Sequence, residues 1–153
     1  MMRMSKQTDY GIVLLTQFAV GSRSVTYTTR ELAERTGMSV PTLSKVLKVL
    51  AREGLLESQR GVHGGYSLAR SPHDISVAEI ILATEGGVAM TECVAAPGDC
   101  VQEPTCRVRT NWRKINDAVV AALGTVSLAD MAQPFAQGFV PLYGGSLSRI
   151  NAS

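Results

Sequence analysis

Two short helical segments joined by a glycine turn, at residues 28–54, constrain the fold of this chain more than any other feature. Thr28 and Glu31 have the spacing of a capping box, in which each side chain binds a main-chain amide that the helix leaves free. This spacing predicts a helix over residues 29–35. Gly37 ends the helix, because glycine tolerates the left-handed conformation that follows many helices.

The second helical segment has one apolar face and one basic face. Ser39 is expected to cap it, with Pro41 in its first turn and Gly54 at its end. Its apolar residues recur at helical spacing and predict a buried stripe, which comprises Leu43, Val46, Leu47 and Leu50. The opposite face carries residues suited to contacts with DNA, which are Ser39, Pro41, Thr42, Ser44, Lys45, Lys48 and Arg52. Two such helices are typical of a helix-turn-helix, although an ordinary helical hairpin with a solvated face has the same pattern.

A predicted β-hairpin follows directly after the second helix. Residues 55–60 and 66–70 have the pattern of two strands around a tight glycine-containing loop. This order predicts a winged helix, with Arg60 able to enter a minor groove and Lys6 able to contact a phosphate. The expected fold class is therefore mainly α with a small β-hairpin wing: a winged helix-turn-helix plus a long C-terminal dimerisation helix.

Charge is distributed unevenly along the chain. Residues 1–70 contain ten basic and five acidic side chains, a net charge of +5, whereas residues 71–153 carry −3. A basic N-terminal half is suited to a polyanion such as double-stranded DNA. No apolar run approaches the roughly 20 residues that span a bilayer, and the first residues lack a signal-peptide pattern. We therefore expect a cytoplasmic protein without a membrane partner.

All three cysteines, Cys93, Cys100 and Cys106, lie in one loop that proline and glycine interrupt. In a reducing compartment, grouped thiols are more often metal ligands or redox groups than a disulfide framework. Thiolates bind soft metals and iron–sulfur clusters, usually with four ligands at a site. The residues considered for a fourth ligand are Asp9, His63, His73, Glu92, Asp99 and Glu103. The alternative is three unrelated free cysteines.

The helix after the cysteine loop carries a heptad-like apolar seam. Its members alternate at steps of four and three residues and are Val108, Trp112, Ile115, Val119 and Ala122. We expect the seam to pack against a second copy of the chain, which would make the protein a homodimer. Packing on the first helix, predicted over residues 6–21, is the alternative.

Two further capped segments complete the prediction. Ser76 and Glu79 form a second capping box before a helix that runs to about Thr84, and a short capped turn begins at Ser127. The expected organisation is a winged helix-turn-helix domain at 1–75, a region at 76–131 with a linker helix, the cysteine loop (86–106) and the dimerisation helix (107–124), and a loosely ordered tail at 132–153.

Taken together, these stretches resemble the Rrf-two family of bacterial winged-helix regulators. The resemblance covers residues 2 to about 131, and its most specific motif is Arg-Gly-x-x-Gly-Gly-Tyr in the wing, residues 60–66. Known members include regulators of iron–sulfur cluster assembly and nitric-oxide-sensing repressors. The segments that look most like the branch regulating the SUF assembly system are residues 91–93, 111–116 and 126–131.

The resemblance implies a homodimer that binds a palindromic operator and holds one iron–sulfur cluster per subunit, 2Fe–2S or 4Fe–4S, on Cys93, Cys100 and Cys106. In the cluster-assembly regulators a histidine three residues after the last cysteine completes the site. Here that position is Arg109, which cannot ligate. In the nitric-oxide sensors the fourth ligand is an aspartate near the N-terminus of the other subunit, and Asp9 matches that position. We therefore expect Asp9 to be the fourth ligand, in trans.

The predicted function is a cluster-containing transcription repressor that controls SUF genes through cluster occupancy. The alternatives are a nitric-oxide or redox-sensing repressor of the same family and a cluster-free regulator that switches by thiol oxidation. A redox enzyme would need a low-pKa cysteine beside a base, and the sequence has neither a CxxC motif nor a convincing Cys/His pair.

Overall fold

A computed structural model describes residues 4–20 and 25–134, which form seven α-helices and one two-stranded hairpin. The helices are α1 (Lys6–Val20), α2 (Thr29–Thr36), α3 (Val40–Arg52), α4 (Val77–Glu85), α5 (Glu92–Ala95), α6 (Arg109–Gly124) and α7 (Leu128–Ala132). The strands are β1 (Leu56–Gln59) and β2 (Gly65–Leu68), and single 3-10 turns lie at Pro72–Asp74 and Glu103–Thr105. The mainly helical fold with a small hairpin confirms the predicted fold class.

Helix boundaries follow the predicted caps, with one exception. Thr28 and Glu31 form the capping box of α2, and the predicted box at the start of α4 is also present. Ser39 occupies the N-cap position of α3, but its predicted capping bond is wrong. Its hydroxyl lies 2.9 Å from the Thr42 hydroxyl and makes no bond to a main-chain amide of the helix.

One apolar core lies among α1, α2, α3, α4 and α7. The predicted stripe of α3 is buried in it, which confirms the apolar face of that helix. Leu14 and Leu15 of α1, Ile80 of α4 and Leu128 of α7 are fully buried in the same cluster. The core therefore takes residues from both sides of the cysteine loop.

Two main-chain hydrogen bonds join the start of α4 to the start of α7. The Val77 N–H donates to the Val126 carbonyl at 2.9 Å, and the Leu128 N–H donates to the Ile75 carbonyl at 2.7 Å. The two ends of the segment that contains the cysteine loop and α6 therefore meet at one place beside the core.

The hairpin is antiparallel, with Leu56 opposite Leu68, and a bridge from Tyr27 to Tyr66 extends it. Tyr27 and Tyr66 exchange two main-chain hydrogen bonds of 2.9 Å each. Gly65 has φ 157°, and a Cβ at this position would lie 2.6 Å from the Tyr27 carbonyl oxygen. The close approach of the two main chains therefore requires glycine here.

The region after Gly86 contains more regular structure than the sequence predicts. A single helical turn, α5, forms before Pro97, because its four residues precede the proline that would interrupt a longer helix. No helix within residues 4–20 and 25–134 is long and apolar enough to cross a membrane. The predicted end of α1 at Gly21 and residues 135–153 of the predicted tail lie outside the described residues, and the division into three parts stays a prediction.

Candidate nucleic-acid interface and cysteine loop

The outer face of α3 is polar and exposed, whereas its inner face is buried. The residues predicted to contact DNA divide by exposure: Ser39, Pro41, Lys45, Lys48, Arg52, Arg60 and Lys6 are exposed, and Thr42 and Ser44 are half-buried. Arg52 pairs with Glu53 at 2.9 Å, but both side chains are exposed, so the pair contributes little to stability. The arrangement is suited to a helix lying in the major groove.

The three cysteines are free, and they differ in exposure. Cys93 lies in α5 and is 6% exposed, with its sulfur 3.2 Å from the Thr91 hydroxyl oxygen. Cys100 and Cys106 are half-buried. Two of the three thiols are therefore accessible to a reagent or a ligand, and the third is largely enclosed by protein.

A buried carboxylate lies between the two accessible cysteines in the chain. The Glu103 side chain is 7% exposed, and its Oε1 lies 2.5 Å from Nη2 of Arg109. Its Oε2 accepts a hydrogen bond of 2.6 Å from the Gly98 N–H. The sequence indicates Glu103 only as one possible ligand, because nothing in the spacing shows that Arg109 turns back toward it.

Three free thiols on one loop match the donor chemistry of an iron–sulfur cluster, but a single chain does not gather a full ligand set. Among the residues described, no group of three or more His, Cys, Asp or Glu side chains could hold a metal ion. Asp9 is exposed on α1. The assignment of Cys93, Cys100, Cys106 and Asp9 as ligands therefore stays a prediction.

Helix α6 packs against α4 and α5 and leaves much of its predicted seam uncovered. Val108, at the N-cap, is 49% exposed and Ile115 is 44% exposed, while Trp112 and Val119 are half-buried. A row of apolar side chains that one chain leaves uncovered is typical of a surface that packs against another chain.

A polar junction that the sequence does not indicate joins the first turn of α1 to the end of α4. Thr8 is fully buried, and its hydroxyl donates to Glu85 Oε1 at 2.5 Å and lies 2.8 Å from the Thr84 hydroxyl. The Ser5 N–H donates to the same carboxylate oxygen at 2.7 Å. The Thr8 hydrogen bond, followed by that from Ser5, holds the pKa of Glu85 below its ordinary value. The junction therefore brings Thr8, which precedes Asp9, into contact with Glu85, which immediately precedes the predicted cysteine loop (86–106).

Comparison with known proteins agrees with this arrangement. A family model described as "Rrf2: Iron-dependent Transcriptional regulator" matches residues 4–134. The chain is 32% identical to the protein rrf2 of Nitratidesulfovibrio vulgaris over 130 residues, which are 85% of this chain and 87% of that protein.

Two solved structures are similar over most of their length. IscR of T. potens is 30% identical, with a TM-score of 0.65, and the match covers 90% of this chain and 95% of that chain. CymR, described as the global cysteine regulator of B. subtilis, is 27% identical, with a TM-score of 0.68 and coverage of 86% and 97%.

The family match spans the exposed face of α3, the wing, the cysteine loop and α6. Members of this family are DNA-binding transcription regulators and not enzymes, which confirms the predicted class of function. The chain therefore belongs to the Rrf2 family of transcriptional regulators, the Rrf-two family that its sequence resembles.

Proposed function

We propose that this protein is a cytoplasmic homodimeric repressor whose affinity for a palindromic operator depends on an iron–sulfur cluster held by the cysteine loop. The observation that carries the proposal is the position of three free thiols between two elements of different role. Before them, α4 packs on α1 of the DNA-binding region; after them, α6 presents an uncovered apolar face.

In this proposal Cys93, Cys100 and Cys106 hold the cluster, and Asp9 of a second copy supplies the fourth ligand. The cluster, when bound, supplies a redox-sensitive and oxygen-sensitive centre that the cell can build or lose. A carboxylate is a weaker ligand for such a centre than a thiolate, which suits a site that must release its cofactor. Arg109 takes no part in ligation, because a guanidinium has no free lone pair to donate.

The exposed seam of α6 is the proposed dimer interface. Its apolar members would be covered by the same residues of a second copy, as in a two-fold symmetric interface. Successive major-groove half-sites lie about 34–36 Å apart, so the separation of the two α3 helices determines whether both bind at once. A ligand that bridges Asp9 of one copy and the cysteine loop of the other would act on that separation.

The proposed targets are SUF cluster-assembly genes, with the cluster-bound form as the repressor. This part rests on the resemblance of residues 91–93, 111–116 and 126–131 to the SUF-regulator branch. It would make the protein a feedback regulator, since a sufficient cluster supply would switch off cluster assembly.

The test is the visible and electron paramagnetic resonance spectrum of anaerobically purified protein. We expect a brown protein, and we expect the colour to be lost in the variant Cys93→Ala/Cys100→Ala/Cys106→Ala. Val101→Ala is the matched control, because Val101 lies in the same loop with 95% of its surface exposed. Asp9→Ala should bind a cluster that is lost faster in air. A colourless protein after anaerobic reconstitution with iron and sulfide would refute cluster binding.

The proposed DNA contacts have a separate test in gel-shift titrations. We expect Lys45→Ala and Arg60→Ala each to weaken operator binding by about tenfold, since a specific contact contributes about 1–3 kcal/mol. Lys114→Ala, an exposed lysine on α6, serves as the control for loss of one positive charge. Equal affinities for all three variants would remove α3 and the wing from the interface.

A second candidate is a regulator of the same family that binds no cluster and responds to thiol oxidation or a small molecule. Two observations favour it: the absence of a grouped ligand set among the described residues and the similarity to CymR, a global cysteine regulator. It predicts a colourless protein whose operator affinity changes on mild oxidation. A nitric-oxide sensor would instead be coloured and would release the operator at near-stoichiometric nitric oxide.

A further inference from the structure

Glu103, one of the six residues considered as a fourth ligand, makes hydrogen bonds throughout the cysteine loop. Through its main chain it bonds to both accessible cysteines: its N–H donates to the Cys100 carbonyl at 3.0 Å, and its carbonyl accepts from the Cys106 N–H at 3.4 Å. Through its side chain it bonds to Gly98 and Arg109. One residue thus contacts both cysteines, the turn before them and the helix after them.

The ion pair with Arg109 connects the loop to the start of α6. Arg109 is the first residue of that helix, and its side chain is 38% exposed against 7% for Glu103. The carboxylate is therefore the buried partner, and a buried carboxylate is retained at low energetic cost only when it is paired. Within the described part of the chain, Nε of Arg109 is buried without a hydrogen-bond partner, so Nη2 is the atom by which this guanidinium holds the loop.

Both oxygens of the carboxylate are already engaged. Oε1 faces Arg109, and Oε2 accepts from Gly98 in a turn where φ is 101°, a value that favours glycine. The Arg109 guanidinium also places a positive charge against this carboxylate, which disfavours a metal cation at the same group. The same carboxylate, together with Cys100 and Arg109, lines a cavity of about 360 Å³, so the pair forms part of the wall beside a cysteine.

We propose that Glu103, held by Arg109, is a positioning residue that fixes Cys100 and Cys106 relative to α6 before any cofactor binds, and that it is not itself a ligand. The significance of this role rests on the proposed function, but the contacts are those of the chain alone. Arg109 does not ligate a cofactor. In this proposal it connects the cysteine loop to α6 through its charged contact with Glu103. Loading or loss of a cofactor would then leave the loop attached to the dimer helix.

The test measures the cofactor-free protein. The rates of alkylation of the three thiols by iodoacetamide are followed by mass spectrometry, together with amide exchange at Gly98. In Glu103→Ala we expect Cys100 and Cys106 to react about tenfold faster, because loss of a charged hydrogen bond favours local opening by at least that factor. Cys93, which is buried in α5, is the internal reference and should react at its wild-type rate.

Three further variants make the test specific. Arg109→Ala should give the same selective acceleration, and the double variant should be no faster than Glu103→Ala, because two partners of one contact are not additive. Glu103→Gln keeps the acceptor for Gly98 and loses the charge, so it should restore slow Gly98 exchange and part of the thiol protection.

The outcomes separate the alternatives. A selective rise at Cys100, Cys106 or both supports the positioning role. Unchanged rates, an equal rise at all three thiols, or additive effects of the two alanine variants would overturn it. None of these readouts requires a cluster or DNA, so a colourless protein would refute the proposed function and leave this result intact.

Discussion

The two regions on either side of Gly86 are held together in different ways. Between α1 and α4 the fully buried side chains are mostly aliphatic and form one cluster, to which α7 adds Leu128. Between Gly86 and Ser127 the buried side chains are only Cys93, Glu103 and Asn116, two of them polar. The first region contains the apolar core, whereas the second has few buried side chains, packs on the first through α6 and α4, and leaves apolar side chains uncovered.

This difference indicates where the molecule can change. In the second region, individual polar side chains hold parts of the main chain through hydrogen bonds. Glu103 holds Gly98 in this way, and Asn116 of α6 accepts from the Met90 N–H at 3.2 Å. A region with few buried contacts can be rearranged by a ligand or a partner at a modest cost in free energy, while a packed core has few alternative arrangements.

The largest expected effect comes from breaking the packed region. Leu47→Ala removes a fully buried side chain of α3 and should lower the free energy of unfolding by about 2–5 kcal/mol, measured by urea denaturation. Val101→Ala, in the cysteine loop, should change it by less than about 0.5 kcal/mol because the side chain is 95% exposed. Similar losses in the two variants would contradict the contrast between the regions.

A smaller effect is expected from the uncovered face of α6. Ile115→Asp places a charge in the proposed dimer seam and should weaken dimerisation by about 2 kcal/mol, roughly a 30-fold rise in the dissociation constant. Sedimentation equilibrium measures this change, and circular dichroism should show the same helix content. Thr110→Asp places the same charge on an exposed site of α6 away from the seam and should leave the dimer unchanged. A monomeric wild-type protein would refute the proposed interface.

The smallest effect concerns the polar junction between α1 and α4, at the edge of the packed region. Thr8→Val removes the hydroxyl bound to Glu85 without changing the shape of the side chain, and should cost about 1 kcal/mol. The pKa of Glu85 is lowered in the folded protein, so its contribution to stability is present above its unfolded value of 4.5 and is lost as pH falls through the lower folded value. Thr8→Val should weaken this acid dependence. A titration of unfolding from pH 6 to pH 3 measures it, with Thr16→Val as control because its hydroxyl bonds only to the Val13 carbonyl of its own helix.

Features encoded by nearby residues could be predicted from the sequence. The capping boxes, the buried stripe of α3 and the hairpin each depend on residues a few positions apart, where spacing determines geometry. The Thr8–Glu85 junction could not be found in this way, because its partners meet only after α1 and α4 pack. The pairing of Glu103 with Arg109 could not be predicted for a related reason. A carboxylate near cysteines in the sequence is equally consistent with a metal ligand, and only the structure shows that the Arg109 side chain contacts it. Ser39 illustrates a further limit of spacing: its N-cap position at the start of α3 was predicted correctly, but the partner of its hydroxyl was not.

The bonds that tie Val77 to Val126 and Ile75 to Leu128 also bear on the order in which the chain folds. Leu128 lies in the same core as Leu14 and Leu15 of α1, so the core is complete only when the chain has returned from the cysteine loop and α6. These contacts join residues distant in sequence, and contacts of that kind slow folding because the entropy of closing the intervening chain is lost before the contacts can form. The entropic cost of closing such a loop rises only slowly with its length, so a change in the length of this segment adds little to the closure cost itself. Completion of the core therefore brings together the two ends of the segment that carries the cysteine loop and α6.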